Sequence, residues 1–591
     1  MSKRLTDEDL LERAGIDGHV AFAVAVFLGG AGLVALLDRI GAPERFVEAL
    51  GPTIALVGLS LIGIMLRSMR VSRFYAGGRA APAAYAGLAM AALAAGLLLP
   101  FLPPADGAIS LQGLLIGSVC GLALAALVTG PLLRKTGAFS IPDLIAGRFP
   151  NIALRLGVIA VVAAAGGLVA LAGYSVAVQS LASGLGASRS LAVWLIGATI
   201  VFVAAPGGLA GVVWVATGAA GILAAGLGLP LVLLWLRGSA LPLPVIGELA
   251  QWDAALSRMA QWQETAGDAM SGTTVTMIIA MVLGFGSLAP LLAPAIATSD
   301  RKRAQRAGFA ALISGLLIAA VVAATMAVAA LAFERGLSGA RPADLSAAIM
   351  TASREGQVRI CDANPITPAA AQAACAGRAG FQGVLRAGDV WASGAFLVRA
   401  LPDMRGFGRA FSGLATAGLM AVMLALAAAG FHVFATALGH DAFYRVRDSS
   451  AMTSRRLAVT RVLLVTGVLA AGFALLYGAP DPRTLIGLAI ALCASSIAPL
   501  LVLSFWPRAE SSDATIALLA GLATAETVIF IGGAPTIDVF AHASVIAACV
   551  SLIAGVITSL FRRADPTGRG GAFVHGVVHG ESEVLNPDKG A

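Results

Sequence analysis

Long apolar runs separated by short polar segments fill most of the chain. We count about fourteen such runs, each near the roughly 20 residues that an α-helix needs to cross the hydrocarbon core of a membrane. Ala and Leu dominate the runs and Gly is abundant, which favours closely packed helices over the alternating strands of a membrane barrel. The pattern therefore predicts an all-α polytopic membrane protein. The runs lie near 19–38, 51–67, 81–102, 110–134, 153–182, 188–204, 211–236, 273–297, 306–333, 408–438, 457–477, 484–506, 513–532 and 542–561.

Composition and charge add an orientation to this picture. Hydrophobic residues make up 58% of the chain and charged residues only 12%, which excludes an ordinary soluble protein. Lys and Arg gather in alternate short connections such as "RSMRVSRFYAGGR" and "SDRKRAQR", whereas "PPADGAIS" and "IGGAPTID" contain none. The positive-inside rule then predicts that both termini are cytoplasmic. No basic run is interleaved with aromatic residues, so no nucleic-acid partner is expected.

Two long connections, 237–272 and 334–407, are predicted to lie outside the cell, where long loops are exempt from the charge rule. The second contains Cys361 and Cys375. Two nearby cysteines in an oxidising compartment can form a disulfide, but sequence alone does not give their geometry. Pairing and non-pairing of these two residues both stay open at this point.

The third and eighth runs differ from the others in their density of Gly and Pro. They read "PAAYAGLAMAALAAGLLLPFLPP" and "MVLGFGSLAPLLAPAIAT" and are five runs apart, as two inverted five-helix repeats would place them. Paired interrupted helices in corresponding positions indicate the central site of a transporter, where unwound backbone offers carbonyl groups to an ion. The alternative is that Gly and Pro are simply frequent in membrane helices.

Several segments, in consistent order over about residues 74–515, resemble the sodium:solute symporter family, in particular its acetate-permease branch. "RFYAGGRAAPAAYAGLAMAA" resembles the segment that leads into the first core helix of that family. "GPLLRKTGAFSIPDLIAGRFP" is the most specific match, through Ile141, Pro142, Asp143, Arg148 and Phe149. "PGGLAGVVW", "ATSDRKRAQRAG", "LGHDAFYRV" with "SRRLAVTR", and "ASSIAPLLVLSFWPR" resemble later family segments.

The resemblance implies the leucine-transporter fold, which consists of two inverted five-helix repeats. It also implies a location in the inner (cytoplasmic) membrane of a bacterium. The expected organisation is an N-terminal tail with two extra helices (1–80), a first repeat (81–236), an external loop (237–272), a second repeat (273–506) that includes the external loop 334–407, two C-terminal helices (507–561) and a cytoplasmic tail (562–591).

The same resemblance implies a secondary transporter and not an enzyme. We expect Na⁺-coupled uptake of a small organic anion, such as acetate or another monocarboxylate, by alternating access. The alternatives are a proton-coupled or uncoupled carrier, or a non-transporting regulatory homologue with a degenerate sodium site. The expected partners are the solute, the coupling ion and the lipid bilayer. No cofactor and no metal beyond a transported Na⁺ are expected, and the oligomeric state stays open.

The coupling residues of the family are only partly present in this chain. The first core helix of the family commonly has an Asp and a Ser where this sequence has Leu93 and Gly96. The fifth usually has an Asp where Ala216 stands, and the eighth has two adjacent hydroxyls where Ala435 and Thr436 stand. Na⁺ is a hard cation that prefers oxygen ligands and needs its charge offset. Since these runs offer no carboxylate near Thr436, weak sodium binding is expected.

The candidate site residues follow from these positions. The candidates for cation binding are Ala92, Ala95, Gly96, His432, Ala435 and Thr436. The candidates for substrate binding are Leu93, Tyr174, Ser175, Gln179, Gly286 and Ser287. His432 and Glu526 are candidate proton carriers, because ionisable groups within membrane helices are costly to bury and often functional. The alternative for His432, Glu526 and the polar groups of the fifth run is a packing or hydrogen-bonding role.

Overall fold

The computed structural model describes most of the chain. The described residues are 18, 25–27, 29–102, 111–236, 257, 272–354, 356–378, 380–386, 389–478, 481–533, 535–561 and 569–579. Within this part of the chain, eleven helices are long and apolar enough to cross a membrane, or twelve if one bent pair counts as a single span. The chain is therefore a helical, multi-pass membrane protein.

The described helices before residue 237 place the first predicted repeat. Residues 29–39 are helical. They are followed by α1 (Glu44–Met65), α2 (Val71–Ala76), α3 (Ala83–Leu98), α4 (Leu111–Ala123), α5 (Gly130–Thr136), α6 (Ile141–Arg148), α7 (Ile152–Leu185) and α8 (Arg189–Leu236). A 3₁₀ turn, Leu99–Phe101, extends α3, and a π-helix, Leu124–Thr129, joins α4 to α5.

The elements after residue 271 contain the second predicted repeat and the C-terminal helices. They are α9 (Gly272–Ser287), α10 (Ala289–Ile296), α11 (Arg301–Leu337), α12 (Ala347–Arg354), β1 (Val358–Ile360), α13 (Pro368–Ala376), β2 (Val390–Ala392), α14 (Gly394–Met404), α15 (Arg409–Thr436), α16 (Thr453–Tyr477), α17 (Pro482–Leu492), α18 (Ala498–Ser504), α19 (Ser511–Gly532), α20 (Ile537–Leu560) and α21 (Arg569–His579). One π-helix, Ala437–Arg447, extends α15, and a second, Cys493–Ile497, joins α17 to α18.

Three features explain why the structure has fewer separate spans than the sequence predicts. The predicted runs 188–204 and 211–236 form one 48-residue element, α8, with a backbone break at Gly208. At 1.5 Å per residue it would extend about 72 Å, far more than one crossing needs. The run 273–297 is the bent pair α9 and α10. The run 19–38 lies only partly within the described residues.

The structure confirms the interruption of the eighth run and contradicts that of the third. α9 ends at Ser287, Leu288 is extended, and α10 begins at Ala289 at an angle of 44° to α9. In contrast, α3 is one continuous α-helix, with Pro82 at its N-cap and Pro100 in the 3₁₀ turn that follows it. The glycines of α3 permit close packing instead, since a Cβ at Gly87 would lie 2.6 Å from the carbonyl oxygen of Ala307.

The helix α15 lies at the centre of the molecule. In its apolar 18-residue stretch, 94% is buried. Small residues let it approach α7 closely. A Cβ on Gly430 would lie 2.6 Å from the carbonyl oxygen of Gly166, and one on Gly173 would lie 2.7 Å from that of Met423. Lipid tails are as apolar as the protein interior, so no hydrophobic effect drives membrane helices together. Close contact of this kind stabilises them through dispersion forces instead. The N-terminal residues of the π-helix Ala437–Arg447 remain buried, so this central element continues beyond residue 436.

The segment between α11 and α15 forms a small unit that shares the hydrophobic core of the membrane helices. β1 and β2 pair antiparallel, with Val358 opposite Ala392. Cys361 and Cys375 are joined by a disulfide in the structure. Arg378 forms ion pairs with Asp389 at 3.3 Å and with Asp362 at 3.6 Å. The other predicted external loop, 237–272, lies outside the described residues except for positions 257 and 272.

Part of the predicted tail 562–591 is helical. α21 buries Phe573 and Val577, and the Phe573 ring lies 6.4 Å from that of Phe505 at the end of α18. The rest of that tail lies outside the described residues.

Candidate functional site

A small cavity of about 30 Å³ lies beside the central helix, where α10, α15 and the start of α6 meet. We call it the α15 cavity. Its polar lining residues are Tyr75, Ser140, His432, Thr436 and Asp441, and its other lining residues are apolar. It lies at the end of α15 that the positive-inside rule places toward the cytoplasm. The second half of the broken span, α10, lines the cavity through Ala289, Ala293 and Ile296.

A change of helix type brings the polar groups of α15 and its extension to one cavity. His432 and Thr436 are four residues apart and so share a face of an α-helix. Asp441 is five residues beyond Thr436, a spacing that an ordinary α-helix would turn onto another face. The chain is a π-helix from Ala437 to Arg447, in which hydrogen bonds run from i to i+5. His432, Thr436 and Asp441 consequently line one cavity.

The His432 side chain is buried and incompletely hydrogen-bonded. Its Nε2 lies 3.5 Å from Thr436 Oγ1, at the outer limit of a hydrogen bond, and its ring lies 5.7 Å from that of Phe74. Its Nδ1 has no hydrogen-bond partner among the described residues. An unsatisfied buried nitrogen costs free energy, about 1–3 kcal/mol. His432 is thus not a fully satisfied core histidine in this structure.

Asp441 is a buried acid in which one carboxylate oxygen accepts a hydrogen bond and the other has no hydrogen-bond partner among the described residues. Ser140 Oγ donates to Asp441 Oδ1 at 2.8 Å and accepts from the Asp143 backbone N–H at 3.1 Å as the N-cap of α6. Asp441 Oδ2 has no hydrogen-bond partner among the described residues. The residue is fully buried. The expectation that no carboxylate lies near Thr436 is therefore wrong, because Asp441 lines the same cavity.

Charged groups around Asp441 are paired with one another. Asp143 forms ion pairs with Arg445 at 3.3 Å and with Arg155 at 3.9 Å. His440 Nδ1 accepts a hydrogen bond from Arg456 at 2.5 Å. The Arg456 guanidinium also lies 4.0 Å from the centre of the Tyr444 ring and 4.9 Å from that of Tyr75. Two of the segments that carry the family resemblance, around Asp143 and around His440, thus meet in one network beside the cavity.

Neighbouring arginines cap helix ends with their guanidinium groups. Arg148 donates to the carbonyl oxygens of Ser504, Trp506 and Ala509, at and beyond the end of α18. Arg134 donates to the carbonyl oxygens of Thr298 and Ser299, just after α10. Such bonds satisfy carbonyl groups that a helix end leaves without partners. These arginines hold α10 and α18 in place on the side of the molecule where the α15 cavity lies.

The predicted cation-binding residues of α3 do not line the α15 cavity. Ala92 and Gly96 are buried in a continuous helix, where backbone carbonyls are committed to helical hydrogen bonds. A Cβ on Gly96 would contact Val422 and Leu426 of α15 at 3.3 Å. Those contacts are at least ten residues, or about 15 Å of helix, from Thr436.

Two further cation candidates lie elsewhere. Ala95 lines a different, almost wholly apolar cavity between α3, α4 and α11. Ala435 is fully buried but is not among the residues that line the α15 cavity. Of the predicted set, the structure brings His432 and Thr436 together.

The predicted substrate-binding residues are dispersed. Tyr174 donates its hydroxyl to the carbonyl oxygen of Val193 at 2.7 Å, which matches the packing alternative. Ser287 Oγ donates to the carbonyl oxygen of Leu283 at 2.6 Å within its own helix. A Cβ on Gly286 would clash with Leu124. None of these residues lines the α15 cavity.

The remaining candidates are also remote from the α15 cavity. Leu93 is fully buried in the core, whereas Ser175 and Gln179 are half-buried on α7. Glu526 is exposed on α19 and does not line the α15 cavity. The functional candidates that sequence reasoning missed are Asp441, Ser140 and Tyr75. The signal for the first two was present in the segments "LGHDAFYRV" and "FSIPDL", which carry the family resemblance.

Comparison with known proteins identifies the fold of the chain. No family model matches the chain. A stretch of 144 residues, 24% of the chain, is 32% identical to an uncharacterized symporter of Cupriavidus necator, of which it covers about a fifth (21%). The structure matches a Na⁺-coupled sialic acid symporter in a substrate-bound outward-open state with a TM-score of 0.63, at 17% identity, over 88% of this chain and 98% of that chain. Both relatives are transporters and not enzymes. The chain has the fold of a secondary transporter.

Proposed function

We propose that this protein is a secondary active transporter of the sodium:solute symporter class. It couples the inward movement of Na⁺ to uptake of a small organic anion, such as acetate or another monocarboxylate, by alternating access. It lies in the inner membrane of a bacterium with both termini in the cytoplasm. The observation that carries this proposal is the α15 cavity beside the broken span, in a fold shared with a Na⁺-coupled symporter.

The residues that line the α15 cavity support a small cation as its ligand. Helix breaks in transporters of this kind offer helix ends and carbonyl groups to ions and solutes. Here α10 begins after the break, and its side chains share the cavity wall with Thr436 and Asp441. A cavity volume of about 30 Å³ has room for a group about the size of a water molecule, which suits a small cation.

Uptake into proteoliposomes tests the proposed function. Purified protein is reconstituted, and labelled acetate uptake is measured with an inward Na⁺ gradient, with a pH gradient, and with neither. We expect accumulation driven by the Na⁺ gradient. Uptake driven only by the pH gradient would favour a proton-coupled carrier. Equal uptake under all three conditions would favour an uncoupled carrier. No uptake of any short carboxylate would favour the non-transporting homologue.

Replacing Thr436 tests the placement of the cation. Thr436→Ala removes one oxygen from the cavity wall, and we expect the Na⁺ concentration for half-maximal uptake to rise about tenfold, as the loss of roughly 1.4 kcal/mol would give. Thr416→Ala is the matched control, because its hydroxyl is buried on the same helix and donates to the Ser412 carbonyl oxygen. Unchanged Na⁺ dependence in Thr436→Ala would show that Thr436 does not bind the cation.

A further inference from the structure

Three ionisable residues beside the α15 cavity have the spacing of a metal site. Ligand atoms of Asp143, His440 and Asp441 lie within 4.8 Å of one another, and all three residues are buried. Two of the three are already engaged. A guanidinium can only donate hydrogen bonds, so the His440 Nδ1 that faces Arg456 is an acceptor and the ring proton lies on Nε2. Asp143 is paired with Arg445 and Arg155.

Asp441 is the member of this group with a free oxygen. Its Oδ1 accepts from Ser140, and its Oδ2 has no partner among the described residues although the side chain is fully buried. A buried carboxylate oxygen without a partner costs several kcal/mol in order of magnitude, and a cation removes that cost. Of the nearby arginines, Arg155 and Arg445 form ion pairs with Asp143, and Arg456 donates to His440, whose Nε2 lies 3.8 Å from Asp441 Oδ1.

The α15 cavity contributes further oxygen atoms around Asp441. Thr436 and Ser140 both line it, and a hydroxyl that donates one hydrogen bond keeps acceptor lone pairs. Asp441 is the acid in that lining, so its ionised form brings one negative charge to a bound cation. A single negative charge with neutral oxygens suits a hard monovalent cation better than a divalent one. The cavity lies toward the predicted cytoplasmic end of α15, where a cation that crosses inward is released.

We propose that Asp441 supplies the carboxylate of the sodium site, together with Thr436 and Ser140 in the α15 cavity. This inference rests on the proposed sodium coupling and adds a charged ligand that the sequence comparison with the symporter family did not provide. It places the bound Na⁺ beside the junction of α15 and its π-helical extension, and not beside α3. The change of helix type is then the structural feature that creates the site.

Direct binding of ²²Na⁺ to purified protein in detergent tests this site without requiring transport. Asp441→Asn removes the charge with little change in shape, and we expect at least a tenfold loss of ²²Na⁺ affinity. Asp513→Asn is the matched control, since it makes the same change in a fully buried acid at the start of α19 that does not line the cavity. We expect Asp513→Asn to retain binding within about threefold of wild type. Equal binding by wild type and Asp441→Asn would overturn the proposal.

A second measurement on the wild-type protein avoids any folding defect of the variants. Dicyclohexylcarbodiimide modifies buried carboxyl groups in membrane proteins, and mass spectrometry gives the yield at each residue. We expect NaCl to lower the yield at Asp441 at least fivefold, whereas choline chloride does not. A yield at Asp441 that does not fall with Na⁺ would overturn the proposal.

The two proposals fail in distinguishable ways. Sodium-driven acetate uptake by wild type, together with unchanged ²²Na⁺ binding by Asp441→Asn, would leave the transport function standing and remove Asp441 from the site. Loss of ²²Na⁺ binding in Asp441→Asn, with no uptake by wild type under any gradient, would support the site and overturn the transport function.

Discussion

Single residues set the course of the backbone around the α15 cavity. Gly208 has φ 56° and ψ −141°, a conformation that residues with a Cβ scarcely adopt. A Cβ at this position would also lie 2.4 Å from the carbonyl oxygen of Phe74. The next residue, Leu209, lines the α15 cavity, as does Tyr75. Gly208 therefore both divides α8 into its two crossings and lets the backbone of α2 approach.

Gly208→Ala is expected to destabilise the protein by about 1–3 kcal/mol, because backbone strain adds to a clash with backbone atoms that cannot move aside. Thermal unfolding in detergent measures the effect. Gly221→Ala is the control on the same helix, since a Cβ there meets no atom within 4 Å. Equal unfolding temperatures for the two variants would contradict the role assigned to Gly208.

At the scale of elements, the contact between α7 and α15 depends on small residues in register. Gly166 and Gly430 face each other, and Gly173 faces Met423 and Ala427 farther along the same contact. The two helices approach backbone to backbone, and this places α15 against α7 along the length that includes His432. The cavity wall is positioned by this contact as well as by the arginine caps on α10 and α18.

Gly430→Ala is expected to push α7 and α15 apart and to cost about 1–3 kcal/mol of stability, since its Cβ would meet the backbone of Gly166 and Ala170 at 2.6–2.7 Å. Gly167→Ala, at the position that follows Gly166 in α7, is the control. Its Cβ would lie 3.7 Å from the Phe434 side chain, which is an ordinary contact distance. Thermal unfolding of the two variants gives the comparison. A larger loss for Gly167→Ala would contradict this account of the contact.

At the scale of the whole molecule, a small unit with an internal disulfide packs on the membrane bundle. The unit extends from residue 338 to residue 407 and includes β1, β2 and the Cys361–Cys375 bond. Disulfides persist in oxidising compartments, so the bond agrees with the external position that the charge pattern predicts for this segment. Basic residues such as Arg134, Arg148 and Arg445 gather at the opposite, predicted cytoplasmic end.

The double variant Cys361→Ser/Cys375→Ser tests both the disulfide and the orientation. Closing a 14-residue separation contributes about 3 kcal/mol in the chain-entropy account, so removal of the bond opens the external unit more often. We expect faster cleavage of the 338–407 segment by protease added to right-side-out vesicles, with wild type as the control. Cleavage only in inverted vesicles would reverse the predicted orientation.

The fold was largely predictable from sequence, but the candidate site was only partly so. Most predicted spans match observed helices, and the break in the eighth run lies where Gly and Pro predicted it. The break predicted in α3 is absent, because Gly87 and Gly96 provide close packing inside a continuous helix. His432 and Thr436 were predicted from helical spacing. Asp441 lies beyond the predicted end of the run 408–438 and was missed as a site residue, because its position depends on the π-helix.

The sequence by itself determined that this chain crosses a membrane many times as helices. Hydrocarbon cannot solvate a backbone, so run length and composition alone predict a helix for each long apolar run. Only the tertiary structure decided which polar groups share a cavity. That outcome depends on the change from α- to π-helix after Thr436, on the Ser140 cap of α6 and on the helix break before α10. The break before α10 and the Ser140 cap have local causes, but their meeting with α15 in one cavity depends on contacts between distant segments, which no local pattern of residues encodes.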